Sequence, residues 1–159
     1  MNSSSPRGSS QLESTEQGPA IPRWILKAYT RLNVWVYRCS GGRLMSRLAG
    51  DPICLVTMTG ARSGKRRTLP LMYVPYQEGV LLVASQGGAP HNPVWYKNLI
   101  KHPEIVVEVN GKQRKLHAEL LQEEARGVAW KVAVEHYAPY AEYQQRTLRE
   151  IPVFYCRPE

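Results

Sequence analysis

The chain has 159 residues and a formal net charge of +8, which suits a single domain with a buried core and favours an anionic partner. Its three cysteines are an odd number without a Cys-X-X-Cys spacing, and its four histidines are scattered. This argues against a disulfide framework or a metal site and predicts reduced thiols in a cytoplasmic protein. Residues 1–20 are polar and no apolar run reaches transmembrane length, so we expect neither a signal peptide nor a membrane span.

The positive charge is concentrated in one part of the chain. Residues 17–77 contain ten lysines and arginines and a single acid, Asp51, which gives this stretch a net charge of +9. The other residues are close to balance. Anion binding is therefore predicted for local patches rather than for the whole surface.

The N-terminal part of the chain predicts a tail followed by a helix. Residues 1–20 are rich in Ser, Gln, Gly and Pro, which is typical of a disordered tail, and we expect one domain over residues 21–159. The first helix starts at Pro22 and has an apolar face and a second face with Arg23, Lys27 and Arg31. Two interpretations fit this helix: docking on the domain, or peripheral contact with an anionic membrane at the inner face of the cell membrane.

Short apolar runs bounded by Gly or Pro predict six strands, and Asn110-Gly111 predicts a tight hairpin between two of them. Three helices are predicted at Asn92–Lys101, with Asn92 as N-cap, at 122–135 and at 137–149. The elements favour a small β-barrel of the α+β class with mainly antiparallel strands and flanking helices. The predicted strands are Ile53–Met58, Leu69–Tyr76, Val80–Ala84, Ile105–Val109, Gln113–Leu121 and Ile151–Cys156.

The turn between the first two strands, residues 59–70, holds two glycines and four cations. One interpretation is a solvated basic turn. The other is capture of a polyanion by the arginine side chains, Lys65 and the backbone amides of Gly60 and Gly64. The turn is not a P-loop, because no Gly-Lys-Ser/Thr closes it before a helix.

Two further patterns could form a pocket. The small residues 84–88 lead from a strand towards a helix that carries Trp95 and Tyr96, whose rings could stack on a planar ligand or belong to the core. Tyr137, Tyr140 and Tyr143 recur every third residue, which predicts one helix edge lining a pocket, or an aromatic core stripe.

The sequence lacks the usual acid–base equipment of an enzyme. No Ser/His/Asp or Cys/His arrangement stands out, and Asp51 is the only aspartate. An enzyme of this composition would need a cofactor that carries the reactive chemistry.

The motifs TGARSGKRRTLPL, VASQGG, NPVWYKNL and IPVFYC, together with the three tyrosines, resemble the deazaflavin-dependent nitroreductase family of actinobacteria. The resemblance covers about residues 24–156 in the family's order and spacing. It implies a split β-barrel and the reduced deazaflavin coenzyme F-420, whose phosphate and oligoglutamate tail would be the polyanion. Two positions depart from the family pattern: Gln86 stands where a lysine is frequent, and Met72 where a pocket tyrosine is.

Carried over position by position, the resemblance implies two sets of site residues. Tyr137 and Tyr143 would be catalytic residues on the substrate side of the pocket. Ser85 would be a catalytic residue that makes a polar contact near the reacting edge. Lys65 and Arg66 are added to the cofactor site on charge grounds. The implied cofactor-binding residues are Ala61, Arg62, Ser63, Arg67, Thr68, Leu69, Pro70, Leu71, Met72, Val83, Ala84, Ser85, Gln86, Val94, Trp95, Tyr96, Lys97, Asn98 and Tyr140.

The implied activity is hydride transfer from reduced coenzyme F-420 to a small electron acceptor, with quinones ahead of nitro compounds and enones. A flavin- or haem-binding protein on the same split barrel is the alternative. A nucleic-acid-binding module is disfavoured, because aromatic residues do not interleave with the basic cluster as stacking platforms would.

Overall fold

The computed structural model describes residues 47–48 and 51–158. The predicted tail and first helix lie outside these residues. None of the helices among these residues has the length and the hydropathy that a membrane-spanning helix needs.

Eight strands, three helices and a short 3-10 turn at Gln86–Gly88 make up the described structure. The strands are β1 (Arg47–Leu48), β2 (Asp51–Thr59), β3 (Arg66–Met72), β4 (Val74–Tyr76), β5 (Gly79–Val83), β6 (Glu104–Val109), β7 (Lys112–Leu120) and β8 (Val153–Arg157). The helices are α1 (Val94–Lys101), α2 (Glu123–His136) and α3 (Pro139–Gln145).

All strand pairings are antiparallel, and the path of the sheet shows why it must curl. The order is β1-β2-β6-β7-β8-β5-β4, and β3 pairs with β2 as well. Strands β3 and β4 therefore pair at opposite ends of the path, yet only Tyr73 separates them in the chain. The sheet has to bend back on itself to bring these ends together, which confirms the predicted α+β split β-barrel.

The predicted single strand Leu69–Tyr76 is wrong in one respect. The chain leaves the edge of β2 at Met72, and Val74 then pairs with Leu81 on β5. At the break, the backbone N–H of Tyr73 donates to the carbonyl of Pro52 over 2.9 Å. The apolar run is continuous, so the change of partner strand left no signal in the sequence.

Strand β5 is buried on both faces. Val80 and Leu82 belong to the cluster inside the barrel with Phe154, whereas Leu81 and Val83 pack towards α2 and α3. Alternate side chains of a strand point to opposite faces, so both faces of β5 are covered by apolar groups. The strand thereby holds its C-terminal end, where the next loop begins, in a fixed place.

Two of the three cysteines lie within the described residues, and both are free and buried. Burial raises the pKa of the Cys54 thiol to about 12 and raises that of Cys156 further. Neither thiol is therefore available as a thiolate nucleophile at neutral pH.

Candidate functional site

An open cavity of about 340 Å³ lies beside the end of β5. Strand β3, the loop after β5, the start of α1 and the turn between α2 and α3 all contribute to its walls. Ten of its eleven lining residues belong to the predicted site, and Pro93 is the addition. The lining residues are Pro70, Leu71, Met72, Val83, Ser85, Gln86, Pro93, Trp95, Tyr137, Tyr140 and Tyr143.

The three tyrosines form one wall of the cavity. The ring centroids of Tyr137 and Tyr140 are 5.0 Å apart, and those of Tyr140 and Tyr143 are 6.3 Å apart. The hydroxyl oxygens of Tyr137 and Tyr143 lie 3.3 Å apart, within hydrogen-bond distance. Tyr140 is buried, which raises the pKa of its hydroxyl, so this group stays protonated at neutral pH.

The predicted helix over 137–149 is present, with Pro139 in its first turn, but it is shorter than expected. Helix α2 ends at His136, Tyr137 caps it, and α3 runs only from Pro139 to Gln145. The three rings thus meet around a turn between two helices rather than along one helix edge. The three-residue spacing was right about the pocket, because that turn also brings the rings to the same side.

The loop that follows β5 supplies another part of the cavity wall. Ser85 is 8% exposed, and its carbonyl accepts from the backbone N–H of Gly88 over 3.0 Å. Gly88 has a φ of +81°, and a Cβ built there would lie 2.5 Å from the carbonyl oxygen of Tyr143. The 3-10 turn is therefore fitted closely against the helix that carries Tyr143.

We expect Gly88→Ala to destabilise the protein more than Gly87→Ala. Both glycines have positive φ, which costs alanine about 1 kcal/mol. Nothing lies within 4 Å of a Cβ built at Gly87. A Cβ at position 88 would clash with α3, which lowers the free energy of unfolding by a further ~1–3 kcal/mol. Urea unfolding of both variants measures the difference, and equal losses would contradict the close fit.

Helix α1 connects the cavity to the basic turn, residues 60–65. The backbone N–H of Ala61 donates to the side-chain oxygen of Asn98 over 2.9 Å, and the Lys101 ammonium donates to the Ala61 carbonyl, also over 2.9 Å. Asn98 is buried and its amide nitrogen faces the Met58 sulfur at 3.6 Å. Asn98, a predicted cofactor residue, therefore anchors the basic turn through its side chain.

The basic turn is a hairpin between β2 and β3, as predicted. Gly60 and Lys65 close it with a backbone hydrogen bond of 2.9 Å, and Gly64 takes a φ of +62°. The four cations of residues 60–67 are exposed, and so are Lys97 and Lys101 on α1. Residues 60–67 and 93–101 contain no acid, and in the part of the chain that the structure describes none of the six cations pairs with a carboxylate.

Strand β3 runs from the basic turn into the wall of the cavity. Arg66 and Arg67 begin β3, and Pro70 to Met72 end it in the cavity wall. Three to four residues of extended strand separate them, about 10–14 Å. Clustered cations without carboxylate partners repel each other, so an anion bound along β3 and α1 would be stabilised.

Trp95 and Tyr96 on α1 were expected either to stack on a planar ligand or to belong to the core. Trp95 is 8% exposed and packs 6.0 Å from the Phe154 ring, and it also lines the cavity. Tyr96 packs on Phe154 from 5.6 Å. Val94 is 80% exposed. Core packing thus fixes Trp95 and leaves one edge of the ring for the cavity.

Two residues beside the cavity differ from the sequence-based prediction: Arg149 was not predicted as a site residue, and Asn92 was predicted as a helix cap. Helix α1 has Pro93 at its N-cap without a side-chain hydrogen bond, so the predicted Asn92 cap is wrong. The Asn92 side-chain oxygen instead accepts from Arg149 over 2.7 Å. No local pattern could have found this contact, because 57 residues separate the two partners.

Comparison with known proteins gives consistent matches. A family model described as F420H(2)-dependent quinone reductase matches residues 29–158. A protein of Mycobacterium tuberculosis (strain ATCC 25618 / H37Rv) named F420H(2)-dependent quinone reductase is 36% identical over 141 residues, 84% of this chain and 95% of the relative.

Two solved structures resemble the fold. An F420-H2 dependent reductase, FDR-A, is 47% identical with a TM-score of 0.63, over 67% of this chain and 94% of that one. HutZ, a haem storage protein of Vibrio cholerae, is 14% identical with a TM-score of 0.51, over 67% and 81% of the two chains. At that identity HutZ shares the fold alone.

Proposed function

The chain belongs to the F420H(2)-dependent quinone reductase family, and on that premise we propose that it reduces a quinone with hydride from reduced coenzyme F-420. One observation carries the proposal: strand β3 links a cavity walled by tyrosines to a turn whose exposed cations have no acids beside them in the sequence. The flavin- or haem-binding alternative is not favoured, because the matched family and the relative are named for F420H(2), whereas the likeness to the haem protein shows the fold alone.

The residues present fit the coenzyme. A planar three-ring system with polar edges needs aromatic and apolar walls with a few polar groups, and the cavity offers Trp95, Pro70 and Ser85. A phosphate and a chain of carboxylates need guanidinium and ammonium groups, which the hairpin supplies through Arg62 and Arg67. When bound, the reduced coenzyme supplies the hydride.

The protein's own groups would orient and polarise the quinone. Tyr137 and Tyr143 hold their hydroxyls 3.3 Å apart, so one hydrogen bond between them orients the pair. A hydroxyl of that pair would donate to the quinone oxygen as negative charge develops there and would supply its proton. Ser85, buried in the cavity wall, would hold the reacting edge in place, and fixed geometry is worth up to ~7–11 kcal/mol in such reactions.

The proposal is tested by titration of the purified protein with oxidised coenzyme F-420, followed by its fluorescence, with FMN titrated as the control. We expect saturable binding of the deazaflavin and faster consumption of its reduced form with menadione than with a nitro compound or an enone. Saturable binding of FMN without binding of the deazaflavin would favour the alternative. The predicted first helix lies outside the described residues, so contact with an anionic membrane stays a prediction.

A further inference from the structure

The side chain of Arg149 holds both ends of the loop that walls the cavity. Its Nη2 donates to the carbonyls of Ala84 over 3.1 Å and Ser85 over 2.8 Å, where the loop leaves β5. Its Nε donates to the carbonyl of Ala89 over 2.9 Å and its Nη1 to the Asn92 side chain over 2.7 Å, where the loop approaches α1. One guanidinium therefore binds four acceptors within nine residues of chain.

The charge of Arg149 is not balanced by a carboxylate. All four acceptors are neutral, and within the described residues Arg149 takes part in no ion pair. The group is half-buried, and loss of hydration lowers its pKa below the usual value. Hydrogen bonds from a cation are stronger than those between neutral groups, and the planar fork fixes the directions in which its donors point.

The loop that Arg149 spans carries the polar part of the cavity. Ser85 and Gln86 line the cavity from its first half, and Pro93 follows directly after its last contact, Asn92. The distance between the two halves of the loop is therefore set by one rigid group from the far end of the chain. A lysine could keep the charge, but its single nitrogen could not span the same acceptors.

We propose that Arg149 is a positioning residue of this cavity: its guanidinium fixes the loop over residues 84–92 and thereby places Ser85 and Gln86 in the cavity wall. The inference rests on the proposed function for its kinetic consequence. Its structural consequence, the order of the loop, is independent of that function.

The test compares Arg149→Lys and Arg149→Met with Arg114→Lys in the full-length protein. Arg114 is the control, because its guanidinium also donates to a backbone carbonyl, that of Glu78, over 2.6 Å and contacts neither the loop nor the segment that carries Arg149. Hydrogen exchange followed by mass spectrometry reports the loop amides, including those of Gly88 and Ala89, which bond to Ser85 and Gln86.

We expect exchange over residues 84–92 to be at least tenfold faster in both Arg149 variants and unchanged in Arg114→Lys. Per folded enzyme, kcat should fall at least tenfold in Arg149→Lys and further in Arg149→Met. The Kd for oxidised coenzyme F-420 should rise as well, because Ser85 and Gln86 belong to the predicted cofactor site. Arg114→Lys should leave kcat and this Kd near the wild-type values.

Loop exchange in Arg149→Lys equal to that of the wild type would overturn the proposal, because charge alone would then suffice. A fall in activity that merely follows the folded fraction in all three variants would overturn it too. Failure of the proposed function would look different: the wild type would not oxidise the reduced coenzyme, and the exchange experiment would still decide the role of Arg149.

Discussion

Replacing Arg62, Arg66 and Arg67 together by glutamine is expected to weaken binding of oxidised coenzyme F-420 about 100-fold at low ionic strength. All three side chains are exposed on the hairpin that continues the cavity wall. Each contact of an exposed cation with an anion is worth about 1 kcal/mol, and three such contacts give ~3 kcal/mol, or about 100-fold in Kd. Fluorescence titration at several salt concentrations measures the change.

The salt dependence separates charge from packing. The Debye length falls from ~30 Å at 0.01 M salt to ~8 Å at 0.15 M, so the difference between variant and wild type should shrink as salt is added. Lys112, Lys115 and Lys131 are also exposed, and their replacement by glutamine removes the same charge from outside the cavity and the hairpin. Equal weakening by the control, or a loss that is the same at all salt concentrations, would contradict anion capture by the hairpin.

Removing both hydroxyls in Tyr137→Phe/Tyr143→Phe is expected to lower kcat for quinone reduction about 100-fold, the usual loss when a general acid is removed. Each single variant should lose less, because the hydroxyls lie 3.3 Å apart and the remaining one can still reach the acceptor. Phenylalanine keeps the ring packing, so the Kd for oxidised coenzyme should change little. Stopped-flow measurement of coenzyme oxidation gives the rate.

Tyr76→Phe is the control for the tyrosine experiment. Tyr76 packs edge-on against Tyr155 at 5.3 Å between ring centroids and does not line the cavity. Its replacement should leave kcat unchanged. A double variant of Tyr137 and Tyr143 with the wild-type rate would show that the proton comes from elsewhere, for instance from water.

The parts of the fold that could be predicted are those that short stretches of sequence determine locally. Asn110 and Gly111 both have positive φ in the turn between β6 and β7, which is the conformation that Asn-Gly favours in a two-residue hairpin. The basic turn was predictable for a similar reason, since glycines and cations interrupt two apolar runs. The resemblance to a known family, whose motifs occur here in the same order, predicted that the barrel is split.

The parts that could not be predicted depend on partners far along the chain. Arg149 binds Ala84, 65 residues away, and nothing in the residues near Arg149 signals that contact. The break at Tyr73 arises because the neighbouring strand changes from β2 to β5. Asn92 has a typical capping side chain, yet its side-chain oxygen accepts a hydrogen bond from the Arg149 guanidinium instead. In each case tertiary contacts outweigh local preference.

A crystal structure of the protein with oxidised coenzyme F-420 would show whether the hairpin holds the anionic tail. We expect the ring system between Pro70 and the three tyrosines, and the glutamate carboxylates within 4 Å of hairpin guanidinium or ammonium groups. A tail that points away from the hairpin, or a ring system bound outside the tyrosine wall, would contradict this expectation.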